Sequence, residues 1–69
     1  MTLTILVERI TGGFFATVRD EDENTIGSAA MTTRDAAVAK ARQRAIQELS
    51  DDDGPPQNLK VEIVDLWSP

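Results

Sequence analysis

The side chains in this chain that are able to do chemistry are its acids and its arginines. Asp20-Glu21-Asp22-Glu23-Asn24 sets oxygen ligands at alternate positions, as the opening of an EF-hand calcium loop does. The later positions of that loop fail. Thr25 stands where the sharp turn needs glycine, and Met31 stands where a bidentate glutamate closes the shell. The run reads as a solvated hairpin tip, with Asn24 suited to left-handed backbone. Asp51-Asp52-Asp53 lies at the end of a helical segment, where negative charge opposes the helix dipole, and reads as a helix stop and solvated loop. Both runs sit in polar loops, without the apolar pocket or fixed neighbour that lifts a carboxyl into the range of a general acid.

The remaining chemistry is thin. The chain has no histidine and no cysteine, which removes the commonest general base, thiolate metal ligands, disulfides and cysteine nucleophiles together. Ser28 and Ser50 have no histidine to activate them, and Lys40 and Lys60 fall on expected solvent faces. Gly12-Gly13 precedes a strand, so it lacks the helix N-terminus of a phosphate cradle. No catalytic residue, metal ligand set or cofactor motif is assigned, and a non-enzyme without cofactors is expected.

The basic side chains carry an alternative reading. Arg9 and Arg19 end the first two strands, Arg34 and Arg44 lie on the exposed side of the helix with Lys40, and Arg42 borders its apolar stripe. These five arginines are the candidate contacts of a nucleic-acid-binding domain. Against it, 12 acidic residues face 7 basic ones, a net charge of −5, and nucleic-acid affinity rests on neutralising phosphate. The same excess supports a third reading, an acidic mimic of nucleic acid built on residues 20–23 and 51–53.

Composition bounds the elements that must position these groups. Sixty-nine residues, 41% hydrophobic and 28% charged, make one small globular domain over 1–69. No apolar run approaches the roughly 18–20 residues of a membrane span. The N-terminal Met-Thr-Leu-Thr-Ile-Leu lacks the basic segment and cleavage site of a signal peptide, so a cytoplasmic protein is expected.

Residues 2–9 alternate with period two, Leu3, Ile5 and Val7 against Thr4, Leu6 and Glu8, which predicts a strand. Thr11-Gly12-Gly13 predicts a tight turn, because glycine adopts positive φ freely. Phe14–Arg19 is a second strand, antiparallel to the first. Thr25–Met31 is a third, in which Gly27 predicts a bulge or a close approach of the helix. Thr32 or Thr33 caps a helix over Arg34–Leu49 rich in strong helix formers, with Asp35 favourable to the dipole. Its apolar stripe is Val38, Ala41, Ala45 and Leu49, with Ala37 and Ile46 at the margins. Ser50–Asn58, with its Pro-Pro pair, is a loop, and Leu59–Leu66 a final strand in which Leu59, Val61 and Ile63 face the core. The expected fold is α+β in the order β-β-β-α-β, an antiparallel sheet of three or four strands with one helix packed on one face.

One helix covers one sheet face, and alternation turns further apolar residues to the other. Leu6, Phe15, Val64 and Leu66 fall there, and Trp67 either caps the core under the helix or joins them. These five are the candidate protein-binding residues, since an apolar second face on a small domain points to a partner. That partner is another protein or a second copy of the chain, bound through this face or along an edge strand.

Gly12-Gly13-Phe14-Phe15-Ala16, an acidic turn, a short strand and Thr32-Thr33-Arg34-Asp35-Ala36-Ala37-Val38-Ala39-Lys40-Ala41 together resemble the N-terminal domain of HicB-type antitoxins. That family has a Gly-Gly-aromatic hairpin and a Thr-x-x-Glu-Ala helix start in the same β-β-β-α-β order, and the likeness spans residues 3–66. Asp20 to Gly27 stands where the family carries a Pro-x-x-Pro-Gly-Cys stretch. The resemblance implies a small protein-binding module that dimerises and occludes a partner, often a ribonuclease. The topology is also similar to a double-stranded-RNA-binding domain lacking its first helix.

Overall fold

A computed structural model describes residues 1–54 and 56–67. The elements are β1 (Thr2–Ile10), β2 (Gly13–Arg19), β3 (Thr25–Met31), α1 (Arg34–Leu49) and β4 (Lys60–Asp65). The strands form one sheet in the order β3-β2-β1-β4, with α1 against one face, and the expected α+β architecture is present.

β1 and β2 are joined by Thr11 and Gly12, with Ile10 paired to Gly13. Only the first glycine serves the turn, at φ +83°. Gly13 lies within β2 for another reason: a Cβ there would come 2.1 Å from the Met31 carbonyl oxygen of β3. The two glycines therefore answer two constraints, one conformational and one of space. Along β2 and β3 the register slips between Val18, paired with Gly27, and Arg19, paired with Thr25. Ile26 is the extra residue of this bulge, and its side chain packs on the core.

Thr33 caps α1, with its Oγ1 accepting from the Ala36 N–H at 3.2 Å. At the other end Ser50 closes the last turn, its N–H donating to the Gln47 carbonyl at 3.3 Å and its hydroxyl to the Ile46 carbonyl at 2.6 Å. The helix buries its smallest residues, Ala37, Ala41 and Ala45, while Val38 and Leu49 flank them half-buried. Alanines on the helix and Gly27 on the sheet bring the two backbones together. A Cβ on residue 27 would lie 2.7 Å from the Ala45 nitrogen and 2.9 Å from the Ala41 oxygen. Gly27 thus marks the close approach and flanks the bulge, whose extra residue is Ile26. The large fully buried side chains are Leu3, Ile5, Val7 and Val18, at roughly 1.5–3 kcal/mol of burial each.

The expected all-antiparallel sheet requires correction at β4, which runs parallel to β1, Ile5 opposite Ile63 and Leu6 opposite Val64. The two hairpins leave β3 parallel in direction to β1. A helix of 16 residues then carries the chain back along the sheet, so the next strand repeats the direction of β3 and of β1. A second correction concerns Ile63, expected in the core but 46% exposed although its neighbour Ile5 is fully buried. No Cα of α1 comes within 8 Å of one in β4. The helix lies over β3 and β2, and β4 projects beyond its shelter.

Candidate functional site

Strand pairing places Thr4, Leu6, Glu8 and Ile10 of β1 on the face away from α1. Phe15, Thr17 and Arg19 of β2 join them, with Lys60, Glu62 and Val64 of β4. Val64 stands directly beside Leu6, and Phe15 lies one step further along β2, opposite Glu8 and Ala30. Leu66 continues the alternation of β4, its N–H donating to the Val7 carbonyl at 2.8 Å. Leu6 and Phe15 are half-buried by their neighbours, whereas Val64 and Leu66 are 40% and 51% exposed. Four of the five candidate protein-binding residues are therefore gathered on it. Polar groups interleave with them: Thr17 lies between Phe15 and Arg19, and Lys60 bonds Glu62 at 3.5 Å.

Trp67 belongs elsewhere. Its ring stacks tilted on Phe14, with centroids 5.4 Å apart and planes at 60°, and both rings pack against the core on the helix side. Of the two placements the sequence allowed, the structure takes the core cap. Ile10, by contrast, was missed: it is 42% exposed and shares the parity of Leu6. The signal was present in the alternation, which runs one residue beyond the segment predicted as strand.

The arginines do not converge. Arg34, at the start of α1, reaches across to β4 and holds the Asp65 carboxylate in a two-point grip, Nε at 2.9 Å and Nη2 at 3.2 Å. The hydrogen bond to Asp65 raises the Arg34 pKa, partial desolvation opposes this, and the charges of Asp65 and Asp35 reinforce it. Arg44 donates from Nη1 to the Ser28 carbonyl at 2.8 Å, on the outer edge of β3. Arg9 pairs with Phe14 and shares the helix side of the sheet, Arg19 pairs with Thr4 on the open side, and both are exposed. Arg42 lies on the outer surface of α1, beside Ala39, Gln43 and Ile46 in a shallow depression. Two of the five candidate nucleic-acid contacts are thus engaged within the chain, and the other three lie on different surfaces.

The acidic runs are tied within the chain, and Glu21 Oε1 accepts from the Thr2 N–H of β1 at 2.8 Å. Asp20 Oδ1 accepts from the Asp22 and Asn24 N–H groups, both at 2.9 Å, in an Asx-type turn that carries Glu23 at φ +64°. Asp51 Oδ1 accepts from the Asp53 N–H at 2.9 Å, and Asp51 and Gly54 form an isolated bridge. Among the described residues no helix is long and apolar enough to cross a membrane. Comparison of the chain with protein-family models, curated proteins and solved structures gives no match.

Proposed function

We propose that this chain is a non-enzymatic protein-binding module, antitoxin-like in class, whose working surface is the open face around Leu6, Phe15, Val64 and Leu66. The observation that carries the reading is the gathering of these side chains on a face that α1 does not cover and that, among the described residues, no other helix or strand covers. Each is already partly covered by its neighbours, so completing its burial is worth roughly 1 kcal/mol, and a specific complex also needs contacts that the partner adds around them. The net charge of −5 favours a basic partner protein, one that brings apolar side chains to this face. The resemblance to HicB-type antitoxin domains supports the same class, in which a small module occludes a partner. Residues 20–23 and 51–53 serve in this reading as attractive charge for that partner.

The test is site-specific photocrosslinking in the host cell, with the photoreactive group at Phe15 and a control at Gln43 on the outer helix. The expected result is a discrete adduct with a basic protein from position 15, absent from position 43 and abolished by Leu6→Asp. Equal adducts from both positions, or none, overturn the reading. So does salt-sensitive, sub-micromolar binding to generic duplex DNA or RNA (a titration at about 50 mM salt decides it), which would return function to the arginines.

A further inference from the structure

The two sides of β4 present different problems, and the open face answers only one of them. β4 is the last strand of the sheet, and its other long edge faces away from β1. The Lys60 N–H donates to Met1 at 2.9 Å and the Leu66 N–H to Val7 at 2.8 Å. In a parallel ladder these bonds fix which residues of β4 turn inward: 60, 62, 64 and 66 bond β1, while the N–H and C=O groups of Val61, Ile63 and Asp65 point to the free edge. This edge has no proline and no bulge, and no residue of α1 shelters its backbone. Its helix-side residue Ile63 is an aliphatic side chain left 46% exposed beside a fully buried core.

We infer that β4 pairs antiparallel with β4 of a second copy of this chain, about a two-fold axis at Val61, and so joins two four-stranded sheets into one. The side chains select this register. With the axis at Val61, Lys60 faces Glu62 of the second copy and Glu62 faces Lys60, two opposite-charge pairs in the closely spaced positions of the ladder. On the helix side, Val61 meets Val61 and Leu59 meets Ile63, so the exposed isoleucine is covered by a leucine that itself packs on the core. An axis at Glu62 would set Glu62 against Glu62. An axis at Ile63 would set Lys60 against Leu66 and Val61 against Asp65. Only the Val61 axis pairs every charge between residues 59 and 63 with its opposite. Asp65, already held by Arg34, lies outside the paired stretch.

The dimer leaves the open face free and stands whether or not a partner docks there. Its paired stretch is short and belongs to the small, weak class of interface, with a dissociation constant on the order of 100 μM. The charge of −5 per chain opposes it weakly, because exposed charges are screened beyond about 8 Å at physiological salt.

Sedimentation equilibrium of the full chain from about 10 μM to about 1 mM tests the register through its charges. Lys60→Glu and Glu62→Lys, each alone, set like charges opposite one another, and each is expected to raise the dissociation constant at least about ten-fold. Mixed in equal amounts, the two variants regain complementary pairs and are expected to form a heterodimer about as tightly as the wild type. An effect confined within one chain cannot produce that rescue. Thermal melts at about 10 μM, below the association range, check that each variant folds. Phe15→Ser is expected to leave the dimer intact. A wild type that stays monomeric to about 1 mM overturns the inference, as does a mixture that fails to associate. A dimer lost in Phe15→Ser but kept in both charge variants also overturns it, and moves self-association to the open face.

Discussion

Along β3 the free edge is finished by the chain itself. Gly27 lets the backbone of α1 settle against the strand, Ile26 bulges inward, and the Arg44 guanidinium occupies the outward carbonyl of Ser28. Along β4, at the opposite edge, the helix is out of reach, and a single side-chain grip from Arg34 to Asp65 ties the two together. An edge strand offers its unpaired backbone to any other strand, and proteins blunt that hazard with bulges, charges or cover. This molecule spends the bulge and the cover on β3, and gives β4 charges instead, set in a run that is self-complementary about Val61, Leu59-Lys60-Val61-Glu62-Ile63. The contrast locates the stability of the domain on one side and its capacity to associate on the other.

The comparison breaks most completely at Gly27. Gly27→Val forces side-chain atoms into the backbone at Ala41 and Ala45, where even a bare Cβ sits within 3.0 Å of two atoms. Overpacking of this kind costs about 3 kcal/mol or more. A domain of this length has about 3–10 kcal/mol in hand, so urea denaturation followed by circular dichroism is expected to show a marginal or absent native baseline. The next effect contrasts two neighbours on one face. Ile5→Ala, at a fully buried position, is expected to cost about 2–5 kcal/mol, and Ile63→Ala, at its half-exposed partner, about 1 kcal/mol or less in dilute monomer. Equal losses at the two sites would mean that β4 is as well covered as β1.

Arg44→Gln removes the bond to Ser28 and is expected to cost about 0.5–1.5 kcal/mol by the same denaturation assay. The smallest effect belongs to Asp65→Asn. It loosens the grip of Arg34 on β4, an exposed ion pair, and the expected loss of thermal stability is slight and vanishes in high salt.

Most of the elements were legible because their signals are local. The Thr33 cap and the 34–49 helix follow from a hydroxyl beside a run of strong helix formers, and the open face follows from strict alternation at Leu6, Phe15 and Val64. Gly27 was readable as a constraint, since a glycine inside a strand costs stability unless space demands it. What was not legible depends on where elements settle relative to one another. The direction of β4 is set by the return path of the helix, which a pattern of period two does not encode. The exposure of Ile63 depends on α1 lying over β3 and β2, a placement decided by the fit of Ala41 and Ala45 to Gly27. Trp67 matched both faces by sequence, and its contact with Phe14 chose one. Arg34 and Arg44 carried the same charge signal as any solvent-facing arginine, and only their distances to Asp65 and Ser28 separate structural from free cations.

Amide hydrogen exchange, resolved residue by residue at two protein concentrations, reads the state of the β4 edge directly. In dilute protein, at about 10 μM, the Glu62 and Val64 N–H groups are bonded to β1 and are expected to exchange slowly. Val61 and Ile63, turned outward on the same strand, are expected to exchange almost as fast as an open chain. Near 1 mM the outward pair is expected to slow several-fold while the inward pair stays unchanged. Val61 and Ile63 protected already in dilute protein, or exchanging at the same rate at both concentrations, would contradict the account of β4 as an edge completed by a second copy.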